Sequence, residues 1–449
     1  MWGVGFRMCS LLFSSKKRVN IPYINEYLQK RGPDNTSVIE YNNHFFVHNL
    51  LSITGAFTPQ PIIQEDCALL FNGEIYNYQQ FSCEYDNDSK CIIHLYKERG
   101  EKFVELLDGE FAICLVDYSK NELLVSTDVF ATKPLWVAVQ DGNISVSTYE
   151  SGLLRQTFNK NNIEKIPANT IRIYDLNTAK LKYENSVCSF ELTQHKKSFE
   201  DWNRSFEKSI EKRTKNTREP IFIGLSSGYD SGTISCELKK QKIKYKAYTL
   251  TGTENDKILK DRYDLLNVEH ICVAKNSVLE EGKKFIEKNV EEFLYRTYSA
   301  RSSYNEFSLR LHDDNGSSGL SAVCAMAKKD NRKILLSGQG ADEIFSDYGF
   351  GGKSKYQHSN FGGLFPTNLS TIFPWPSFFG SSMISYLAKE EYIGGAYGIE
   401  CRYPFLDKQG IQEFLWLTAE LKNNNYKNVL HNYLTSNSFP FEQGQKIGF

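Results

Sequence analysis

The sequence predicts two domains of different class: a layered, mainly antiparallel α+β domain, followed by an α/β domain built on a parallel sheet. Short strand-like runs joined by polar turns dominate the first part of the chain. After an amphipathic helical pattern at 199–210, continuous apolar runs alternate with helical patterns, which is typical of a parallel sheet. This change places the boundary near residue 190, so the predicted domains span residues 9–190 and 191–449.

The antiparallel character of the first domain is predicted from two pairs of runs. The stretch FAICLVDYSKNELLVSTD (111–128) has two strand-like runs around a polar turn, and TIRIYDLNTAKLKYE (170–184) has the same form. Few long helical patterns separate such runs, so the strands are expected to form stacked antiparallel sheets.

The parallel sheet of the second domain is predicted from three apolar runs: PIFIGL (220–225), YKAYTL (245–250) and KILL (333–336). Strands that are buried on both faces of a sheet have this continuous apolar character. A loop of small residues and a helical pattern separate the first run from the second, and strand–helix–strand order gives parallel neighbours.

Bulk composition narrows the class of protein. The 53 Lys and Arg residues nearly balance the 54 Asp and Glu residues, so no basic excess indicates a nucleic acid or an anionic membrane as partner. No apolar run approaches the roughly 18 residues of a membrane-spanning helix. The ten cysteines include no C-x-x-C pair, which favours reduced thiols over a zinc site or a disulfide framework. We therefore expect a soluble cytoplasmic protein.

A loop of small residues, LSSGYDSG (225–232), follows the first apolar run and precedes a helical pattern. Small residues let backbone N–H groups approach an anion at a helix N-terminus. The hydroxyls of Ser226 and Ser231 would add donors, and Asp230 could hold Mg²⁺ through an oxygen. No Gly-Lys-Ser/Thr ends the loop, so it is not a Walker motif. Taken alone, it could equally be an ordinary serine- and glycine-rich turn.

A second loop, SGQGADEIF (337–345), follows another apolar run and contains Asp342. Loops at the carboxyl ends of neighbouring parallel strands meet at the ligand site of such sheets. Asp230 and Asp342 together fit ATP that is cleaved between its α- and β-phosphates, with Mg²⁺ between the two carboxylates.

Several segments of the second domain carry a family resemblance. The loop LSSGYDS resembles the pyrophosphate loop of the ATP-pyrophosphatase superfamily, which implies the α/β fold of those enzymes. The asparagine synthetase members of that superfamily have segments similar to SGQGADEIFSDY (337–348), GIECRYPFLD (398–407), YKNVLHNYL (426–434) and QKIGF (445–449).

The first domain resembles class II glutamine amidotransferase domains, which have the N-terminal-nucleophile fold. LLFNGEIYNY (69–78) is similar to their Asn-Gly-Glu segment, KRGPDNTS (30–37) to their Arg-Gly-Pro-Asp turn, and DGEFAICLVD (108–117) to their inner strand. With both domains in this order, the chain resembles the glutamine-hydrolysing asparagine synthetases from Cys9 to Phe449.

The resemblance implies a glutaminase site around Cys9. Its thiolate would attack the side-chain amide of glutamine, and its own α-amino group would accept the proton. Asn72 and Gly73 would bind the tetrahedral oxyanion, while Glu74 and Asp88 would hold the ammonium group of glutamine. The alternative for Cys9 is a buried structural cysteine.

The start of the sequence bears on this role of Cys9. Residues 1–7 precede Met8, and a Cys9 joined to them would carry a peptide nitrogen in place of a basic amine. Methionine before the small Cys9 is readily removed, whereas methionine before the bulky Trp2 is not. We therefore expect the functional chain to begin at Cys9, by initiation at Met8 or by removal of a short leader.

For the second domain the resemblance implies an ATP site. Lys427 would neutralise charge on the α-phosphate, with Lys446 as a second candidate cation, although a solvated helix lysine is the alternative for Lys427. Asp230 and Asp342 would bind Mg²⁺. The residues expected to bind ATP are Leu225, Ser226, Ser227, Gly228, Asp230, Ser231, Leu250, Ser337 and Gly338.

Two residues depart from the family pattern. Leu50, in HNLLSI (48–53), replaces an arginine that clamps the carboxylate of glutamine. Such a charge-assisted hydrogen bond is worth roughly 1.5–3 kcal/mol, so weaker glutamine binding is expected. Gln339 stands where some relatives have a glutamate proposed to aid the attack of ammonia. As a catalytic residue Gln339 could orient ammonia but could not take its proton.

The expected function is synthesis of asparagine from aspartate, ATP and glutamine, through an acyl-adenylate and ammonia. An enzyme of the same family that amidates another carboxylate is one alternative, and a catalytically silent nucleotide-binding regulator is another. Residues 313–322 and Arg402 are the candidates for the acceptor pocket. The sequence does not determine the oligomeric state, and a homodimer is one option.

Overall fold

A computed structural model of the chain describes residues 9–16, 19–32, 34–215, 217, 219–292, 294–298 and 306–444. The amino-terminal part, residues 9–186, contains two antiparallel sheets with six strands each. Its strands are β1 Ser10–Ser14, β2 Asn35–Tyr41, β3 His44–Leu50, β4 Ile62–Gln64, β5 Cys67–Ile75, β6 Gly109–Asp117, β7 Glu122–Thr127, β8 Trp136–Gln140, β9 Asn143–Ser147, β10 Ile163–Lys165, β11 Thr170–Asp175 and β12 Leu181–Ser186. Its helices are α1 Ile21–Ile24, α2 Tyr78–Phe81, α3 Lys90–Arg99, α4 Phe103–Leu106 and α5 Glu150–Leu154.

The two sheets have the strand orders β10-β8-β9-β1-β3-β2 and β12-β11-β7-β6-β5-β4. The predicted hairpins at 111–128 and 170–184 are confirmed as β6–β7 and β11–β12. Ala68 and Leu70 of β5 belong to the same apolar core as Leu11 of β1, whereas Leu69 packs in a separate core with residues of α3. Because alternate residues of β5 face two different covered surfaces, its first five residues, 67–71, are all apolar.

The carboxyl-terminal part, residues 200–444, is built on a parallel sheet of five strands, which confirms the predicted α/β class. Its sheet strands are β13 Ile221–Gly224, β14 Tyr245–Thr251, β15 Glu269–Ala274, β18 Ile334–Leu336 and β21 Glu400–Arg402. Two small antiparallel pairs lie outside this sheet: β16 Leu294–Tyr298 with β17 Glu306–Arg310, and β19 Gly349–Phe350 with β20 Lys353–Ser354. Its helices are α6 Glu200–Thr214, α7 Tyr229–Lys240, α8 Asp256–Leu266, α9 Leu279–Asn289, α10 Asn315–Lys329, α11 Ala341–Phe345, α12 Pro376–Phe379, α13 Ser382–Tyr397, α14 Lys408–Trp416, α15 Ala419–Asn423 and α16 Asn428–Ser436.

The strand order of the parallel sheet is β15-β14-β13-β18-β21. The chain runs outward from β13 through β14 to β15, and later runs in the opposite direction from β18 to β21. The order therefore reverses between β13 and β18, which are neighbours in the sheet. Ligands of open parallel sheets bind at the carboxyl ends of the strands on either side of such a switch point.

Buried ion pairs join the two parts of the chain. The Glu391 carboxylate of α13 contacts Arg31 Nη2 at 2.7 Å and Lys133 Nζ at 2.8 Å. The phenolic hydroxyl of Tyr403 donates to the same carboxylate at 3.0 Å. Glu391 is thus fully paired, as a buried charge requires. Within the described ranges, no helix has the length and apolar character needed to cross a bilayer.

Candidate active sites

The loop after β13 is held in shape by its own side chains and by Arg262 of α8. The Ser231 hydroxyl accepts a hydrogen bond from Ser226 N at 3.0 Å and lies 2.8 Å from the Ser226 hydroxyl. The buried Arg262 guanidinium donates to the carbonyl oxygens of Ser226 and Gly228, the latter at 2.8 Å. Since these loop carbonyls are engaged by Arg262, an anion at the start of α7 would meet N–H groups and hydroxyls.

Lys427 lies between two carboxylates at the switch point. Its Nζ atom is 2.6 Å and 2.8 Å from the two carboxylate oxygens of Asp230, and 2.8 Å from Oδ1 of Asp342. The hydroxyl of Tyr426 donates to the same Asp342 oxygen at 3.0 Å. Burial alone would lower the pKa of Lys427, but the charges of Asp230 and Asp342 raise it above its ordinary value. The two carboxylates therefore favour the charged form of Lys427.

Asp230 and Asp342 have the chemistry to hold the Mg²⁺ that the sequence resemblance implies. Within the described residues, no group of three or more His, Cys, Asp or Glu side chains is arranged to hold a metal ion. Mg²⁺ in nucleotide sites needs only one or two carboxylates, because phosphate oxygens and water complete its shell. Asp230 and Asp342 converge on a single point, the Nζ atom of Lys427, and supply such oxygens.

A cavity of about 640 Å³ lies over the carboxyl ends of β13 and β18. Its lining includes seven residues singled out in the sequence: Ser226, Asp230, Ser231, Ser337, Gly338, Gln339 and Asp342. Leu225 and Leu250 instead belong to the buried apolar core, and Ser227 and Gly228 are buried within the loop. The two predicted loops therefore meet around one cavity.

Of the two candidates for the acceptor pocket, the segment 313–322 lies at the cavity and Arg402 does not. Asp314, Gly316 and Leu320, from the predicted segment 313–322, line the cavity. Arg402 does not lie among the cavity residues, because it points toward Glu74 and Glu400.

Asp314 and Lys389 form a charged pair on the cavity wall. Asp314 caps α10 by accepting hydrogen bonds from Gly316 N at 3.1 Å and Ser317 N at 2.9 Å. Lys389 Nζ of α13 lies 3.5 Å from Asp314 Oδ2. Burial would raise the pKa of Asp314, but Lys389 and these hydrogen bonds keep it below its ordinary value. The wall thus presents one fixed negative and one positive charge.

Sequence reasoning missed Lys389 and Glu390, which both line this cavity. The Oε1 atom of Glu390 accepts a hydrogen bond from the Ser337 hydroxyl at 2.9 Å. Burial raises the pKa of Glu390 to about 7, although Ser337, Lys389 and Gln339 act in the opposite direction. The available signal was the KEE triplet at 389–391 within an otherwise uncharged helical run, since charges on a buried helix need partners.

Cys9 immediately precedes β1 and contacts Leu51, which follows β3. Its Sγ atom accepts a hydrogen bond from Leu51 N at 3.2 Å. Burial, followed by the charges of Glu400, Glu74 and Asp88, raises the pKa of the thiol to about 12. Cys9 is therefore a neutral thiol, and a base would have to remove its proton before it could act as a nucleophile. The residues before Cys9, Pro33 and Lys446 all lie outside the described residues.

Asn72 and Gly73, on β5, have features that suit oxyanion donors: a buried amide that is unpaired among the described residues, and a backbone conformation that requires glycine. The Asn72 side-chain Nδ2 is buried and, within the part of the chain that the structure describes, has no hydrogen-bond partner. A buried unsatisfied donor is costly unless a ligand accepts from it. Gly73 has φ +138°, and a Cβ there would lie 2.0 Å from the carbonyl oxygen of Glu110. Only glycine fits at this position.

Glu74 and Asp88 form the acidic side of the region around Cys9, and Arg402 contacts Glu74. Arg402 Nη2 lies 3.2 Å from Glu74 Oε1, and Asp88 Oδ2 accepts a hydrogen bond from Ile75 N at 2.9 Å. Burial raises the pKa of Asp88 to about 7 and also raises the pKa of Glu74. Leu50, at the end of β3, is 6% exposed and brings no charge. The described cations of this region include Arg402, which pairs with Glu74, and Arg31, whose Nε donates to the Cys9 carbonyl oxygen at 3.0 Å.

Two family models match most of the chain. A model described as glutamine amidotransferase domain matches residues 8–192, and one described as asparagine synthase matches residues 201–378. The chain is 25% identical to asparagine synthetase 2 (glutamine-hydrolyzing) of Lotus japonicus, over 91% of this chain and 69% of that protein. It is 27% identical to a candidate asparagine synthetase 1 (glutamine-hydrolyzing) of Methanocaldococcus jannaschii, over 94% of this chain and 82% of that protein.

Among solved structures, the chain is similar in part to the allosteric regulatory enzyme of purine biosynthesis. The identity is 13% and the TM-score is 0.33, over 48% of this chain and 60% of that chain. A similarity of this size supports no functional conclusion.

Proposed function

Because the chain belongs to the glutamine-hydrolysing asparagine synthetase family, we propose that it uses ATP and the amide nitrogen of glutamine to convert aspartate into asparagine. The observation that carries this proposal is the convergence of Asp230, Asp342 and Lys427 beside one cavity at the switch point of the parallel sheet. An enzyme that adenylates an acid needs a place where a triphosphate and that acid are held together.

In the proposed first step, a side-chain carboxylate oxygen of aspartate attacks the α-phosphorus of ATP. Pyrophosphate leaves with the electron pair of the broken P–O bond, and a β-aspartyl-adenylate remains. The N–H groups at the start of α7 and the hydroxyls of Ser226 and Ser231 are suited to bind the pyrophosphate. Lys427 is suited to stabilise charge on the α-phosphate. Asp230 and Asp342 would hold Mg²⁺, which would neutralise the phosphate charge.

The pair formed by Asp314 and Lys389 is suited to the amino-acid end of the acceptor. A free α-amino acid carries an ammonium and a carboxylate on one carbon, and the two side chains offer the opposite charges 3.5 Å apart. An acid without the ammonium group would make no charged contact with Asp314, which would keep only Lys389 and the N–H groups that it caps. The preferred acceptor is therefore an amino acid with a second carboxylate.

The nitrogen is proposed to come from glutamine that is hydrolysed at Cys9. The α-amino group of a chain that begins at Cys9, with an ordinary pKa of about 8, would take the proton of the thiol. The uncommitted Asn72 amide and the Gly73 N–H support a role as oxyanion donors. Glu74 and Asp88 would bind the ammonium group of glutamine.

Synthesis from free ammonia is the second candidate. Leu50 offers no charge to the carboxylate of glutamine, and Arg402 already occupies Glu74. Both features would weaken glutamine binding while leaving the synthetase site unchanged.

Exchange of labelled pyrophosphate into ATP tests the first step directly. The purified protein with Mg²⁺ should catalyse exchange in the presence of aspartate, and less exchange with succinate, which lacks the ammonium group. Mass spectrometry of the product with glutamine, or with ammonia, would then identify the amide and the nitrogen source. If no acid supported exchange, a nucleotide-binding regulator would describe the protein better.

A further inference from the structure

The conversion of ammonia into an amide requires a group that accepts a proton. When the nitrogen lone pair of ammonia bonds to the acyl carbon, the adduct carries one N–H proton more than the amide product. A positioned carboxylate or imidazole usually takes such a proton in enzymes. Gln339 lines the cavity, but its neutral amide cannot take a proton.

The carboxylates that line the cavity differ in their charged and hydrogen-bonding partners. Asp230 and Asp342 contact Lys427, and Asp314 is held by Lys389 and by the N–H groups that it caps. Opposite charges of this kind stabilise a carboxylate and make it a weak base. None of these three is well suited to take a proton from nitrogen near neutral pH.

Glu390 is held differently. One of its oxygens, Oε1, accepts from the Ser337 hydroxyl, and the other, Oε2, is buried without an aligned hydrogen bond from any described residue, although the nearby Gln339 amide and Lys389 both act to lower the pKa of Glu390. The side chain is 7% exposed, and it lines the cavity together with Gln339. Ser337 connects the two, because its hydroxyl donates to Glu390 and accepts from Gln339 N at 3.1 Å.

We propose that Glu390 is the general base of amide formation, a role that rests on the proposed adenylating function. The C–N bond forms from the lone pair of ammonia, the Glu390 carboxylate takes one N–H proton, and the C–O bond to AMP breaks with its electron pair on the phosphate oxygen. The products are the amide, AMP and a protonated Glu390, which returns its proton to water. Gln339 orients the ammonia, and Glu390 accepts its proton.

The charged and titratable surroundings of Glu390 set its basicity. Along α13 it has Lys389 and Glu391 as neighbours, and Cys324 of α10, Cys401 of β21 and Tyr403 face it from the packed elements. Burial is the largest influence, and it favours the neutral acid, which brings the pKa of Glu390 to about 7. A base with this pKa is half ionised near neutral pH, where general bases are most effective.

Glu390→Gln tests the proposal, because it keeps the shape of the side chain and removes its basicity. Aspartate-dependent pyrophosphate exchange should remain near the wild-type rate, while amide formation from ammonia should fall by roughly 10²-fold or more. The exposed Glu420→Gln on α15 is the matched control and should leave both rates unchanged. At a fixed concentration of free ammonia, the wild-type amide rate should fall as the pH drops below about 7, and the variant should lose this dependence.

A second variant guards against a purely structural effect. Gln339→Glu combined with Glu390→Gln places a carboxylate on the neighbouring side of the same cavity and should restore part of the lost amide rate. Full amide formation by Glu390→Gln would overturn the role of Glu390 while leaving the proposed function intact. A parallel loss of exchange and amide formation, without rescue, would also overturn it. Absence of exchange in the wild type would overturn the proposed function and this role together.

Discussion

The Nη2 atom of Arg402 lies 3.2 Å from Oε1 of Glu74, so the end of β21 in the parallel sheet reaches the proposed glutamine pocket of the amino-terminal part. Arg402 also donates from Nε to Glu400 at 2.6 Å and from Nη1 to the carbonyl oxygen of Arg213 at 2.6 Å. The ammonium group of glutamine would compete with this guanidinium for Glu74. We therefore expect glutamine binding to change the contacts of Arg402.

Leu50→Arg should lower the KM for glutamine by roughly tenfold or more, because a charge-assisted hydrogen bond to the substrate carboxylate is worth roughly 1.5–3 kcal/mol. Steady-state kinetics with glutamine measures the effect, and ammonia-dependent synthesis should not change. Leu154→Arg, at a position that is 39% exposed, adds the same charge away from the pocket as a control. An unchanged KM in Leu50→Arg would mean that another residue already binds the carboxylate.

Asp230→Ala should abolish pyrophosphate release with either nitrogen source. Asp230 contacts Lys427 through both carboxylate oxygens, and its loss would disturb the cation and the proposed Mg²⁺ position before nitrogen enters the reaction. Pyrophosphate release is measured directly, and the exposed Asp264→Ala on α8 serves as the control. Near-normal turnover of the variant would remove Asp230 from the metal site.

A chain that begins at Cys9 should hydrolyse glutamine, whereas a chain that keeps residues 1–8 should use only free ammonia. The reason is that the thiol, with a pKa of about 12, needs the free α-amino group as its base. Intact-mass analysis identifies the first residue of each preparation, and glutamate release measures hydrolysis. In the trimmed chain, Cys9→Ala should lose the glutamine-dependent reaction and keep the ammonia-dependent one. Hydrolysis by a chain that still begins at Met1 would contradict this mechanism.

Asp407→Asn should lower the free energy of unfolding by about 2 kcal/mol at pH 7. Burial would raise the pKa of Asp407, but Lys212 and Arg213 lower it to about 2. A folded-state pKa below the unfolded value of about 3.9 stabilises the protein above that pH, and the contribution is lost as the pH falls toward 2. Asparagine keeps the N-cap of α14, where Asp407 accepts from Gln409 N and Gly410 N.

Urea unfolding of the wild type and of Asp407→Asn at a series of pH values measures this difference. The gap between the two proteins should shrink as the pH drops below 5. A gap that stays constant with pH would show that the effect comes from packing and not from the charge of Asp407.

The sequence predicted the elements whose patterns depend on local packing. Alternating and continuous apolar runs indicated β6, β7, β13, β14 and β18, because sheet faces require apolar side chains at fixed spacing. Strand β21 was not predicted, since two of its three residues, Glu400 and Arg402, are charged and neutralise each other inside the protein. A single sequence does not show which buried charges will find partners.

The site residues that lie in the two small-residue loops could be predicted from the sequence. The site residues that tertiary packing brings from a distant part of the sequence could not. The loops at 225–232 and 337–345 were predicted to meet because both follow strands of a parallel sheet, whose carboxyl ends form the ligand site. In the structure both loops line one cavity. Lys389 and Glu390 lie on a helix that is buried over most of its length, and the sequence shows its charges but not their partners. The tertiary packing of α13 against α10, which no local pattern encodes, gives them their position.

Helix α13 carries Glu390 toward the cavity and Glu391 toward the amino-terminal part, because adjacent residues of a helix point roughly 100° apart. One turn of helix thus satisfies two unrelated requirements at once. A substitution in this turn can disturb the cavity through Glu390 or the buried ion pairs through Glu391. A library of variants selected for growth should therefore tolerate fewer substitutions there than in the exposed turns of α9. The two parts of the chain therefore share one helical turn, and a substitution in it affects both of them.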